Sequence, residues 1–234
     1  MSTEFPVKDL KDWKGAKAPD HRILEGRFIR LEPLSVAQHG DQLWHEFNGP
    51  GSDPTFYDYI IIGPFEQRAD FDVFLREKTN STGCVLYAVI DLANGRAQGM
   101  AGFLNINLTH GTIEMGHVFF GASMQRSVKS TEAVFLLAQE AFTLGNRRLE
   151  WTSYNKSLRS KQAALRYGFT FECVRRQQYV IKGQNYDVVW YSILDREWAP
   201  LQKAFQLWLS PDNFDSNGQQ IRTLKKLQEE CGLK

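Results

Sequence analysis

Cysteine is scarce: three occur in 234 residues, at 84, 173 and 231, odd in number and far apart. That excludes a disulfide scaffold and a close-spaced metal-thiolate pattern, and it fits free thiols in a reducing compartment. Long apolar runs are also missing, none approaching the ~18–20 residues of a membrane span. The opening residues, Met1 to Pro6, lack the basic-then-apolar order of a secretory signal. A soluble, cytoplasmic protein without a membrane partner is therefore expected. Net charge is nearly absent, with 28 Lys and Arg against 27 Asp and Glu. This argues against nucleic acid as a partner held by bulk electrostatics. No internal repeat or low-complexity tract occurs. What is plentiful is apolar and aromatic: sixteen Phe and six Trp can fill a substantial core. The length suits one domain with elaborations.

The charge is balanced overall but not locally. Nine acidic residues fall between 32 and 77, against Arg68 and Arg76, and nine basic ones between 147 and 182, against Glu150 and Glu172. An acidic half facing a cationic acceptor and a basic half facing an anionic cofactor would explain this division, as would chance placement on solvated faces.

Along the chain, residues 1–20 are polar, Lys-rich and aperiodic, and read as an arm. Alternation over 26–34 predicts a first strand closed by Pro33. Ser35 is placed to cap a helix through Phe47. Residues 49–64 form a turn-rich loop carrying Phe56, Tyr57 and Tyr59, and 65–79 read as a second helix. The runs 84–92 and 97–108 are β-rich and joined by Asn94-Gly95, a strong hairpin signal. A strand over 112–120 follows, then an apolar helix over 130–144 stopped by Gly145. The pattern continues with a strand at 147–153, a helix at 157–167 ended by Gly168, and strands at 169–181 and 186–194 around the turn 182–185. Asp195 is expected to cap a helix through Leu209, 211–218 to be a linker, and 221–230 a short amphipathic helix. Three hairpin-connected strands followed by a β-α-β-α-β unit imply a mixed α/β fold with helices on both faces of the sheet.

The segment 114–133 carries most of the chemical information. A strand ending at Phe119–Phe120 feeds a polar loop and then a helix. Such a loop presents unpaired backbone N–H groups and the positive end of the helix dipole, an arrangement that binds phosphate. Arg126 and Lys129 add cations, so a cofactor bearing a di- or triphosphate is the natural ligand. An ordinary strand-to-helix connection with two solvated cations has equal standing.

Three sets of residues carry a resemblance to a known family. The first is Ile113-Glu114-Met115-Gly116-His117-Val118 running into Gln125-Arg126-Ser127 and Thr131-Glu132-Ala133. The second is Arg147-Arg148-Leu149-Glu150-Trp151, followed by Ser160, Ala163-Ala164-Leu165-Arg166 and Gly168-Phe169. The third is Lys182-Gly183, Asn185 and Asp187, then Trp190-Tyr191-Ser192 and Leu194-Asp195, Glu197-Trp198. In this order and spacing, 26–198 resembles the GNAT superfamily of N-acetyltransferases, in its RimJ/RimL-like branch.

The resemblance implies a mixed, mostly antiparallel sheet flanked by helices on both faces. It divides the chain into an arm (1–20), an acetyltransferase domain (21–198) and a helical C-terminal extension (199–234). It implies acetyl-CoA as cosubstrate and no metal. The pyrophosphate would sit on Gln125, Arg126, Ser127, Val128, Lys129, Ser130 and Thr131, and the pantetheine along the strand at Val118, Phe119 and Phe120. The acceptor would be a primary amine, either a peptide N-terminus or a cationic small molecule, and the protein a monomer or homodimer. Glu114 matches a strand carboxylate that serves as base, although a structural glutamate reads the same way. His117, three residues on, faces the opposite side of an ideal strand, and only a bulge brings both to one side. Ser160 matches a serine placed to protonate the departing thiolate, or it is simply a first-turn residue. Tyr167 falls three residues after Ala164, where many relatives carry a catalytic tyrosine, and reads as packing.

Two departures from the family pattern stand out. Val128 occupies a position usually held by glycine, so either the loop turns there with negative φ or cofactor binding is weakened. Ser157 stands where an asparagine commonly holds the pantetheine, with Asn155 two positions early. A GNAT-fold protein that binds CoA or a partner without turnover is therefore the alternative function.

Overall fold

A computed structural model describes residues 9–58, 60, 62–181 and 183–233. Tyr59, Lys182 and the first eight residues of the expected arm lie outside them. Of the strand expected over 26–34 only β2 (Ile29–Pro33) forms; it pairs antiparallel with a short β1 (Leu24–Glu25) that precedes it, around a turn at 26–28. The cause lies 105 residues further along, in the helix α3 (Val128–Thr143). There the buried Glu132 carboxylate accepts the backbone N–H groups of Arg27, Phe28 and Ile29 at 2.8, 2.7 and 2.9 Å. A charged acceptor serving three donors outweighs continuation of a two-residue ladder. Alternation in the sequence gives no sign of it.

After α1 (Val36–Asn48) and α2 (Arg68–Thr79) come β3 (Val85–Asp91), β4 (Arg96–Asn107) and β5 (Thr112–Phe120). Then follow α3, β6 (Arg148–Tyr154), α4 (Leu158–Arg166), β7 (Thr170–Ile181) and β8 (Gln184–Leu194). α5 (Asp195–Leu209), a 3₁₀ turn (Pro211–Asn213) and α6 (Leu224–Glu230) complete the order. The eight strands lie as β1-β2-β3-β4-β5-β6-β8-β7, antiparallel throughout except for the β5–β6 pair.

β3 is buried along its whole length, as a strand covered on both faces must be. Its odd residues Val85, Tyr87 and Val89 join α3 and α5 in one core, and its even residues Leu86, Ala88 and Ile90 join α1 and α2 in another. The expected mixed sheet with helices on both faces is what the chain forms. No helix among the described residues is long and apolar enough to cross a membrane.

Several boundaries differ from expectation for local reasons. α3 begins at Val128, two residues early, because Ser127 caps it and its Oγ accepts from the Ser130 N–H. α2 starts at Arg68, while Phe65 turns inward against Phe71 and Phe74. Asp195 is the first helical residue of α5 rather than its cap. α6 starts at Leu224 because Thr223 caps it, with Oγ1 accepting from the Lys226 N–H at 3.2 Å. The expected arm is bound down where it is described. The Trp13 indole donates to the Thr109 carbonyl, and the Ala16 and Lys17 N–H groups to the Leu108 and Leu144 carbonyls.

Glu132 supports one stability prediction. Glu132→Ala leaves three N–H groups at the β1–β2 turn without their acceptor and should cost about 3–5 kcal/mol. A urea midpoint within error of the wild type would show that water replaces the carboxylate.

Candidate active site

β5 and β6 start side by side and then part. Their parallel pairing covers Thr112↔Arg148, Ile113↔Leu149 and Glu114↔Glu150, and no pair follows. A cavity of about 1420 Å³ opens between 115–120 of β5 and 151–154 of β6. The parting is tied to a β-bulge. Met100 pairs with Phe119 and Gly102 with Gly116, so Ala101 alone faces both His117 and Val118. His117 takes φ of 49°, the left-handed region that ordinary residues avoid.

The bulge shifts the strand's phase. Before it, Ile113 and Met115 enter the core beneath α3, but after it Val118 and Phe120 do. His117 and Phe119 therefore turn to the α1–α2 side, where the imidazole packs edge-on against Phe74 and Phe119. Glu114 and His117 consequently line the same cavity.

Glu114 is buried, its Oε1 accepting from Thr152 Oγ1 and its Oε2 from Asn105 Nδ2, both at 2.6 Å. Burial pushes its carboxyl above the ordinary range, and the nearby Glu150 charge adds to that, while the two hydrogen bonds pull it back. Asn105 reaches it from a second irregularity, at φ of 47°. Burial and the charge of Lys78 push the His117 imidazole down to about 4, so it is neutral near pH 7. Ser160, on α4, accepts the Trp151 indole N–H at 3.0 Å. Among the described residues no acceptor takes the Ser160 proton, which leaves that hydroxyl able to donate into the cavity. The Tyr154 hydroxyl, at the end of β6, is buried without a hydrogen-bond partner among the described residues, and burial raises its pKa.

The other end of the cavity is cationic. Arg126 is exposed there and takes the left-handed conformation, φ 56°, that turns the loop into α3. Val128 is simply the first helical residue. The feared conflict at Val128 does not arise, because the turn falls two residues earlier. Arg166 donates from Nη1 to Thr131 Oγ1 at 3.0 Å, beside the first-turn N–H groups of a 16-residue helix. Gln125 donates from Nε2 to the Phe120 carbonyl at 3.2 Å and reaches Asp53 at 3.4 Å. Asp53 also accepts from Arg159 at 2.9 Å and from Thr55, whose hydrogen bonds hold its carboxyl at about 2.

No family model matches this chain, and no curated protein does. Solved structures do. A GCN5-related N-acetyltransferase from Brucella melitensis is 39% identical over 94% of this chain and 100% of its own, with a TM-score of 0.90. The chain belongs to the GCN5-related N-acetyltransferase (GNAT) family. A probable GNAT-family acetyltransferase from Chromobacterium violaceum is 36% identical over 82% of this chain and 96% of its own, with a TM-score of 0.76. The microcin self-immunity acetyltransferase MccE, solved with acetyl-CoA and AMP, shares the fold at 21% identity and a TM-score of 0.63, over 72% of this chain and 93% of its own.

The protein is thus an acyltransferase with a GNAT fold, and its cavity gathers most of the residues expected from sequence. Glu114, Ser160, Val118, Phe119, Phe120, Gln125, Arg126, Ser127, Val128, Ser130, Thr131 and Ser157 all line it. Two of the expected residues are not in its lining. The Lys129 ammonium turns away from the cavity to pair with the buried Asp91 carboxylate at 2.7 Å. Asn155 also lies outside the lining, its carbonyl and side-chain oxygen accepting from Lys161 Nζ at 3.0 and 3.2 Å. Tyr167 packs against Phe205 and Trp151.

Sequence reasoning about this GNAT chain missed Arg166 as a lining cation and Asn105 and Thr152 as partners of Glu114. The acidic region 32–77 does not wall the cavity as expected. Of its carboxylates only Asp53 lines it, already engaged by Arg159, and the neighbouring wall is Phe56, Ile60 and Ile62.

Proposed function

We propose that this GNAT protein is a RimJ/RimL-like N-acetyltransferase that moves an acetyl group from acetyl-CoA to a primary amine, such as a peptide N-terminus, by direct attack. One observation carries the reading: a buried Glu114, whose carboxyl burial pushes above the ordinary range, and a hydroxyl with an undirected proton, Ser160, line one cavity that runs to a cationic helix N-terminus. The residues present fit the cosubstrate. Arg126, Arg166 and the first turn of α3 suit a pyrophosphate. The edge of β5 past Glu114, unpaired with β6, suits the amides of a pantetheine arm.

When bound, acetyl-CoA supplies a thioester carbonyl open to attack by an amine. Glu114, ionised, accepts a proton from the acceptor ammonium, directly or through one water, and its raised pKa matches that task better than an ordinary carboxylate. Ser160 Oγ gives its proton towards the sulfur. The acceptor end favours an amine on an apolar or aromatic group over a polycationic molecule, because the unengaged carboxylates expected there are not in its lining. The alternative of a binding module loses its main motive, since Val128 leaves the loop's turn undisturbed.

Calorimetry with acetyl-CoA, followed by thiol release over a panel of amines and N-terminal peptides, tests the proposal. Binding with release supports it. Binding without release across the panel favours the module, and no binding refutes both the acetyltransferase and a CoA-binding module. Arg126→Ala should raise KM for acetyl-CoA several-fold with kcat unchanged, because an exposed cation contributes binding without touching the reacting atoms. A fall in kcat alone would put Arg126 elsewhere.

A further inference from the structure

We infer that the hairpin 213–222 and Trp208 form the nucleotide end of the donor site and read the adenosine part of coenzyme A. This rests on the acetyl-CoA reading above and assigns a ligand role to the C-terminal extension.

The order of groups along the cavity motivates it. With the acyl end at Glu114 and Ser160 and the pyrophosphate at the start of α3, the base and ribose lie beyond Thr131. Arg166 marks that direction: it donates to Thr131 Oγ1, and its guanidinium lies 5.1 Å from the ring centres of both Tyr167 and Trp208. Past Trp208 the lining is Pro211, Phe214, Asp215, Gly218, Gln219 and Gln220.

This wall is built before any ligand arrives. Asn213 is buried, and its Nδ2 donates to the carbonyls of Trp208 and Arg222 at 3.2 and 3.0 Å, while its Oδ1 accepts the Arg222 N–H at 3.0 Å. Phe214 and Gln220 form a β-bridge, and one Asp215 oxygen accepts the N–H groups of Asn217 and Gln219, both at 2.9 Å. The buried Trp208 donates its indole N–H to Gln220 Oε1 at 2.8 Å and meets the Phe214 ring edge-on at 5.3 Å.

A rigid aromatic surface rimmed by polar groups suits a flat heterocycle carrying an amino group. Phe214 supplies a ring for stacking. The second Asp215 oxygen is placed to accept from an exocyclic amine or a ribose hydroxyl. The Gln219 amide and the Gln220 Nε2 supply donors to ring nitrogens. Arg27 and Arg166, lining the same end, provide charge for a ribose phosphate.

The test uses the full chain and two variants, Phe214→Ala and the exposed Gln219→Glu, with coenzyme A and adenosine 3′,5′-bisphosphate as calorimetric probes. Each variant should weaken coenzyme A about tenfold, the loss of one base stack or a repelled phosphate, and abolish measurable binding of the bisphosphate. The KM for acetyl-CoA should rise by a similar factor with kcat unchanged. Gln219→Glu guards against a folding artefact at Phe214. Unchanged affinity for both probes in both variants overturns this inference alone. A wild-type protein that binds no coenzyme A overturns it together with the acetyl-CoA reading.

Discussion

Glu114→Gln is expected to lower kcat/KM about 10²–10⁴-fold, the contribution of a positioned base, while leaving the protein folded. Glutamine fits the site. Its carbonyl can accept from Asn105 Nδ2 and its amide donate to Thr152 Oγ1, whose hydroxyl rotates to suit. The pH profile separates a base from a structural residue. A base must be ionised, so activity falls as pH drops through its folded pKa. Burial raises that value, so the acidic limb should lie above the range of a free carboxyl. In the variant that limb should disappear. A variant that keeps both the limb and most of the activity would remove Glu114 from the chemistry and point to the unpartnered Tyr154 hydroxyl.

Ending the chain at residue 199 is expected to abolish the fold, not merely trim it. Leu201, Phe205, Trp208, Leu209, Leu224 and Leu227 are all buried in the same core as α3 and β5. Six such side chains are worth on the order of 10 kcal/mol of apolar burial, comparable to the whole stability of a typical domain. Trp208 and Arg166 also tie this region to the start of α3. The truncated chain should lack a cooperative thermal transition. Phe205→Ala, costing about 3–5 kcal/mol, should weaken the full chain without destroying it. A truncated protein melting near the wild type would mean that the remaining core closes over the gap.

The sheet was largely legible because the evidence for it is local. Asn94-Gly95 announces its hairpin, 112–120 is a strand with the expected bounds, and Gly145 and Gly168 mark helix ends. The loop before α3 was legible as an element for the same reason: Arg126 and the start of a helix lie together in sequence. Misreadings cluster where a partner is remote. Nothing near residues 26–28 reveals that Glu132 will hold them in a turn. Lys129 resembles a phosphate ligand until Asp91, 38 positions earlier, claims it. Strict alternation puts Glu114 and His117 on opposite faces, and the bulge that reverses this is set by Ala101 on the neighbouring strand. Charge counting over 32–77 failed because it assigns no direction to a side chain.

The ties that hold the N-terminal segment also set an order of folding. β1 and β2 make a short hairpin that would not persist alone. Its turn waits for Glu132, Arg22 pairs with Glu140 across 118 positions, and Trp13 reaches Thr109 across 96. Each contact closes a long loop before it returns any stability, which makes such steps slow. The earliest-made part of this sheet is therefore expected to be among the last to lock, once α3 is in place.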